Sequence, residues 1–276
     1  MMEKLRAKKS MGQNFLIDRN VLARIAQVVD IDPQDRILEV GPGRGALTAF
    51  LAESAAKVLA VELDRQLVPF LAREFAAKET VEFVQADILK LNLPDLLLGR
   101  WDGKWKVAAN LPYNISSQVL FKFLDNPGLF SLLVLMLQKE VGDRLVAPPG
   151  CKDYGILSVF CRLHFDITRV FIVKPGSFNP VPKVDSAVLK FVTLPAPRVD
   201  VGDEDVFRRI VKAAFSQRRK TLWNCLKSAD LGVTAENLLL TLAECGIDGT
   251  RRGETLSLEE FAQLTRSFIG FQKAKV

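Results

Sequence analysis

Along the first two-thirds of the chain, apolar residues fall in short continuous runs separated by stretches of helical period. The runs occupy Arg36–Val40, Val58–Leu63, Val81–Ala86, Lys106–Ala109, Leu132–Leu137, Thr168–Val173 and Ala187–Thr193. Their length and their Val, Ile, Leu and Phe content predict strands. Helical spacing at Ala46–Glu53, Gln66–Ala77 and Ser117–Leu124 lies between the earlier runs. Strands alternating with helices predict a parallel, doubly wound α/β sheet. The last two runs are joined by Lys174–Lys183, rich in Pro and Gly and without helical period. That join predicts an antiparallel hairpin at the sheet edge, because parallel neighbours need a long crossover.

After Pro195-Ala-Pro197 the pattern becomes helical only, over Asp205–Phe215, Arg219–Lys227, Ala235–Glu244 and Leu258–Phe268. Ser257 and Glu260 have capping-box spacing at the start of the last helix. The pattern therefore divides the chain into an α/β domain, 1–198, and a small helical domain, 199–276. Its 276 residues suit one large domain or one with an appendage, at roughly 150 residues per domain.

With 49% hydrophobic and 25% charged residues, the composition excludes disordered, collagenous and disulfide-scaffold classes. Four scattered cysteines, Cys151, Cys161, Cys225 and Cys245, form no CxxC pair and read as reduced. With one histidine, His164, set among apolar neighbours, metal sites and His-based relays have almost no ligands. No apolar run approaches the roughly 20 residues of a membrane helix, and the basic N-terminus lacks the apolar stretch of a signal peptide. A soluble, cytoplasmic protein without a metal is expected.

The net charge of +6 is unevenly placed. Between Val206 and Ala229 lie seven basic residues, Arg218, Arg219 and Lys220 among them, and no acid. A smaller cluster, Lys4, Arg6, Lys8 and Lys9, opens the chain. Concentrated positive charge is the footprint of a polyanion partner, although one such run could also be a solvated helix face.

The run Arg36–Val40 leads into Gly41-Pro-Gly43-Arg-Gly45 and then a helix. Glycines there let the backbone turn sharply and approach a ligand at the carboxyl end of a strand. Glu62 ends the second run, at the distance from which a carboxylate grips ribose hydroxyls, and Asp87 follows the third. A purely structural turn and an NAD-type dinucleotide site both fit the glycines alone. Glu39, two residues before Gly41, weighs against a pyrophosphate, which it would repel. The Glu39–Gly45 string resembles the first motif of class I S-adenosylmethionine-dependent methyltransferases.

The fourth run ends in Asn110-Leu111-Pro112-Tyr113. An exocyclic adenine amine is a poor nucleophile because its lone pair is delocalised into the ring. The Asn110 amide oxygen and a backbone carbonyl at Leu111 or Pro112 can accept its two N–H bonds and localise that lone pair. Pro112 stiffens the backbone, and Tyr113 offers a face for an extruded base. Standing alone, the tetrapeptide could be a proline turn at a strand end.

Together these segments resemble the small-subunit (16S) ribosomal RNA adenine N6,N6-dimethyltransferase family over nearly the whole chain. The matching elements are Gly12-Gln-Asn14-Phe-Leu16, Glu39–Gly45, Glu62-Leu63-Asp64, Asp87, Asn110–Tyr113, Gln138–Val141, Tyr154–Ser158, Phe178–Ser186 and Phe215–Leu222. Met11 and Trp223 depart from it, standing where members carry an aromatic and a basic residue respectively. The resemblance implies a class I methyltransferase (Rossmann-like) seven-stranded sheet with a small C-terminal all-helical domain. It implies S-adenosylmethionine as cofactor, held by Asn14, Leu16, Gly41, Gly43, Glu62, Leu63, Asp87, Ile88 and Asn110. Catalysis falls to Asn110, Leu111, Pro112 and Tyr113, with Phe178 stacking on the adenine; for Phe178 a core role anchoring a Pro-rich loop is the other reading. Arg218, Arg219 and Lys220 would bind RNA. The implied partner is 16S rRNA in the assembling small subunit, modified by a monomer at two adjacent adenosines near the 3′ end. The alternatives are a large-subunit enzyme of the resistance type, a protein glutamine methyltransferase, and a non-catalytic RNA-binding assembly or transcription factor.

Overall fold

The computed structural model describes residues 8, 12–55, 57–101 and 103–273. Met11 and the basic residues Lys4, Arg6 and Lys9 lie outside them. The chain divides into two compact units.

The first unit comprises the described residues up to Gly142 together with Asp166–Thr193. In chain order its elements are β1 (Phe15–Leu16), α1 (Arg19–Val29), β2 (Arg36–Val40), α2 (Ala46–Ser54), β3 (Lys57–Glu62) and α3 (Leu67–Glu74). There follow β4 (Val81–Gln85), α4 (Leu93–Leu98), β5 (Trp105–Asn110), α5 (Ser116–Leu124), β6 (Phe130–Gln138) and α6 (Lys139–Val146), the last running across the boundary between units. After α7 (Ile156–His164) come β7 (Phe165–Val173), β8 (Phe178–Asn179) and β9 (Ser186–Thr193).

Seven strands form one sheet in the order β4-β3-β2-β5-β6-β9-β7. The pairs from β4 through β6 are parallel, and β9 runs antiparallel to β6. Strand β6 is buried over nearly its whole length, as expected of a central strand covered on both faces. Each apolar side chain withdrawn there contributes about 1.5–3 kcal/mol. The order reverses between β2 and β5, which creates a crevice at their carboxyl ends. Register sets what meets there. Glu39 faces Ala108 and Val40 faces Val61, so the residues after β2 lie level with Asn110 on one side and Glu62 on the other.

A second, two-stranded sheet pairs β1 with β8, Phe15 with Asn179 and Leu16 with Phe178. Strands β7 and β9 are neighbours at the sheet edge, and the segment joining them carries β8.

The second unit comprises Asp143–Phe165 and Leu194 onward, so it is discontinuous in sequence, unlike the single division expected near residue 198. The reason is aromatic packing: Tyr154 lies 6.0 Å from Phe215, Phe160 lies 6.1 Å from Phe207, and Phe215 lies 6.0 Å from Phe261. Its remaining helices are α8 (Glu204–Ala214), α9 (Leu222–Ser228), α10 (Ala235–Glu244) and α11 (Leu258–Lys273). Helix α8 buries Phe207, Ile210, Val211 and Ala214, the spacing of one helical face. The capping box forms: Glu260 N–H donates to Ser257 Oγ at 3.2 Å, and Ser257 N–H donates to Glu260 Oε2 at 2.8 Å. Helix α9 begins at Leu222 rather than Arg219, because the Thr221 hydroxyl oxygen caps it by accepting from Asn224 N–H at 3.3 Å.

Gly45 closes the turn into α2 with φ of +80°, and a Cβ there would lie 2.6 Å from the Phe75 ring. Gly45→Ala should lower stability by about 2 kcal/mol, through left-handed strain and displacement of Phe75. Thermal unfolding measures this, and an unchanged midpoint would show that the turn relaxes freely.

Candidate active site

A cavity of about 390 Å³ opens at the crevice, within the size range of small-ligand sites. Its wall includes Asn14, Leu16, Gly41, Gly43, Glu62, Leu63, Asp87, Ile88, Asn110, Leu111, Pro112 and Tyr113. Thus every residue that the resemblance assigned to the cofactor, and the whole tetrapeptide, meets in one place.

Glu62, buried at the end of β3, binds the glycine loop. Its Oε2 accepts from Gly43 N–H at 3.1 Å and its Oε1 from Asp64 N–H at 2.7 Å. Burial pushes its pKa up, and these hydrogen bonds offset only part of that. Glu39 is also buried, and its Oε2 accepts from the Thr48 hydroxyl at 2.6 Å. Burial raises its pKa to about 8, with Glu62 adding a smaller upward push against the Thr48 bond. Glu39 and Glu62 place two buried carboxyls on one cavity wall, where a cationic group would favour their ionised forms.

Asp64 anchors the segment before β1. Lys8 Nζ lies 2.6 Å from its Oδ1, Gln13 Nε2 donates to Oδ2 at 3.2 Å, and Gln66 N–H donates to Oδ1 at 3.0 Å. Burial works to raise the Asp64 pKa, but Lys8 and the other donors outweigh it and hold the carboxyl below its ordinary range.

At the end of β5, Asn110 Nδ2 donates to the Asn14 carbonyl at 3.3 Å, which leaves Oδ1 to accept from a ligand. The Pro112 carbonyl accepts Ile115 N–H at 3.1 Å, so the Leu111 carbonyl is the backbone acceptor left beside it. Tyr113 Oη and Ser186 Oγ are 2.6 Å apart, and burial pushes the Tyr113 pKa up. Gly41 has φ of +70°, and a Cβ built on it would meet only Pro112 Cδ, at 3.9 Å. The backbone there stands open to a ligand. One oxygen of Asp87 accepts Leu89 N–H at 3.0 Å and the other faces no donor among the described residues. An open glycine turn, acceptors for hydroxyl and amino groups, and buried carboxyls for a cationic end fit S-adenosylmethionine.

Phe178 requires correction. It is buried, pairs with Leu16 through its backbone, and packs with Leu16, Leu22 and Met136 in the core, outside the cavity wall. It anchors the loop that follows, because β8 needs an apolar side chain on its inward face. The sequence reading also missed the apolar wall formed by Ile17, Leu22, Leu47 and Ile115. A signal was present for Leu22: Leu22, Ile25 and Val29 follow helical period after the Asp18 cap.

Arg218, Arg219 and Lys220 are exposed in the turn between α8 and α9, and Arg218 Nη2 donates to the Lys152 carbonyl at 2.8 Å. His164 is buried with Nε2 3.2 Å from Glu204, a structural pairing. All four cysteines are free thiols. Among the described residues no cluster of His, Cys, Asp or Glu could hold a metal ion, and no helix is long and apolar enough to cross a membrane.

Residues 4–269 match the model of the ribosomal RNA adenine dimethylase family. The chain belongs to this family. It is 66% identical over 97% of its length to the ribosomal RNA small subunit methyltransferase A of Geobacter metallireducens, covering 97% of that protein. Its identity to the enzyme of the same name from Geobacter sulfurreducens is 61%, over 96% of each chain. Among solved structures, a dimethyladenosine transferase from Plasmodium falciparum superposes with a TM-score of 0.80 at 26% identity, over 95% of this chain and 98% of that one. The 23S rRNA methyltransferase ErmE gives 0.69 at 25% identity, over 93% and 100%. Family membership brings the class I methyltransferase fold and S-adenosylmethionine as the methyl donor.

The Glu39 carboxyl ionises near 4.5 in the unfolded chain and about 8 in the fold, so the folded state holds the extra proton between those values. Stability from neutral Glu39 is therefore full below about pH 4.5 and is lost as pH rises through about 8. Glu39→Gln, which keeps an acceptor for Thr48, should gain thermal stability relative to the parent as pH goes from 5 to 9. Parallel melting profiles would refute the assignment.

Proposed function

We propose that this protein transfers methyl groups from S-adenosylmethionine to N6 of two adjacent adenosines near the 3′ end of 16S rRNA, making N6,N6-dimethyladenosine. The observation that carries this reading is the pair of acceptors, Asn110 Oδ1 and the Leu111 carbonyl, standing at the rim of the glycine-loop cavity.

When bound, S-adenosylmethionine supplies a methyl group on a cationic sulfur. Asp87 and Glu62 would hold its amino and hydroxyl groups, and the Gly41 turn would let the backbone close on it. Asn110 Oδ1 and the Leu111 carbonyl each accept one N6–H of the adenine. Two acceptors on one side draw the nitrogen towards tetrahedral geometry and turn its lone pair to the cavity. Tyr113, its hydroxyl fixed by Ser186, presents a ring to the extruded base. No general base is required beforehand, because N6 sheds its proton readily once it carries positive charge. Positioning and electrostatic stabilisation supply the acceleration.

The small subunit is the favoured substrate because relatives named for it are up to 66% identical, whereas ErmE, named for 23S rRNA, is 25% identical. The reading includes a cytoplasmic monomer acting on the particle during assembly, with Arg218, Arg219 and Lys220 holding phosphates. Labelled donor incubated with small subunits lacking the modification should give dimethyladenosine there, and none in mature small subunits or large subunits. Label in large-subunit RNA would transfer the protein to the ErmE-like activity; no label in any RNA would overturn the reading. Replacing Arg218, Arg219 and Lys220 by Ala should weaken subunit binding and reduce the slope of log affinity against log salt by about 2. An unchanged slope would remove that turn from the interface.

A further inference from the structure

Trp223 is absorbed by neither the catalytic cavity nor the phosphate-binding turn. It lies in the first turn of α9, three residues after Lys220, and is half-buried. Its backbone is fixed: Trp223 N–H donates to the Gly249 carbonyl at 3.0 Å, and Leu222 N–H donates to the Arg251 carbonyl at 2.6 Å. Its Cβ lies against Gly249, where an added Cβ would be 3.2 Å away. The ring is placed differently. The exposed Lys227 ammonium sits 5.7 Å from its centroid, so one ring face lies beneath a solvated cation rather than against the core. The indole N–H has no partner among the described residues. Exposed Arg219 and Lys220 precede it, and no acid occurs between Val206 and Ala229. The neighbouring carboxylate, Asp248, is engaged locally by Thr250 N–H at 2.8 Å and by the Thr250 hydroxyl.

We propose that Trp223 is a stacking platform for one unpaired nucleobase of the RNA, with Arg219, Lys220 and Lys227 on the adjoining phosphates. This rests on the RNA-modifying reading above. A half-buried aromatic side chain on a fixed backbone, in a segment that carries basic residues and no acid, suits single-stranded RNA, because every base offers a π-face and every linkage a charge. Stacking and phosphate neutralisation differ in salt dependence, and that difference makes the assignment testable.

The experiment measures the affinity of the full chain for unmodified small subunits and for a single-stranded oligoadenylate, over a series of salt concentrations. Trp223→Ala should weaken both by about tenfold at every salt concentration while the salt slope keeps its parental value. Trp223→Phe should stay within about threefold of the parent, and Arg219→Ala should lower the slope. RNA should quench less tryptophan fluorescence in Trp223→Phe than in the parent, a readout independent of the Ala variant's stability. Parental affinity in Trp223→Ala, equal losses in the Ala and Phe variants, or equal quenching in parent and Trp223→Phe would overturn the proposal. If replacing Arg218, Arg219 and Lys220 weakens binding while Trp223→Ala does not, only the stacking assignment falls. If neither change has an effect and no RNA is methylated, the RNA-modifying reading falls with it.

Discussion

The cavity depends on one buried carboxylate. Glu62, at the end of β3, accepts from Gly43 in the loop after β2 and from Asp64 in the loop after its own strand. Asp64 in turn holds Lys8 and Gln13. Three segments distant in sequence are thereby joined around the ligand space by hydrogen bonds, and the Lys8–Asp64 pair among them is charge-assisted. Burying such a group is costly, and the raised Glu62 pKa records that cost. The sheet makes the arrangement possible, because the parallel registers of β2 with β3 and β5 bring Glu62, Gly41 and Asn110 to one level.

Around this clamp the site divides into a side of buried carboxyls and a side of fixed acceptors. Glu39 and Glu62 lie on the first, where burial raises the pKa of both carboxyls. Asn110 and Leu111 lie on the second, where backbone and amide dipoles are committed before any substrate arrives. The Tyr113–Ser186 bond and the β1–β8 pairing tie the loop between β8 and β9 to residues that line the cavity. The ligand space and the loop beside the tetrapeptide are therefore parts of one connected structure.

Much of this was legible in the sequence, for identifiable reasons. The sheet strands are near-continuous apolar runs, so period and length located all seven within a few residues. The Gly41–Gly45 turn, Glu62, Asp87 and Asn110–Tyr113 follow strand ends, where the fold gathers functional groups. Two-residue strands such as β1 and β8 have no local signal, since their pairing joins segments about 160 residues apart. Helix α7 belongs with the C-terminal helices because Phe160 packs on Phe207, a contact that neither local pattern announces. Phe178 was ambiguous in sequence, and the inward face of β8 decided it. The clasp of Lys8 and Gln13 on Asp64 and the burial that raises Glu39 exist only once the chain is folded.

The central claim is the proposal that Asn110 acts on the chemistry, through an amide whose Nδ2 donates to the Asn14 carbonyl and leaves Oδ1 open. Its most direct test is single-turnover methyl transfer by Asn110→Ala to unmodified small subunits, with donor binding and subunit binding measured in parallel. The account predicts transfer lowered by at least about a hundredfold while both affinities stay close to the parent's. Loss of binding in proportion to loss of transfer would contradict it and make Asn110 a structural residue of the cavity.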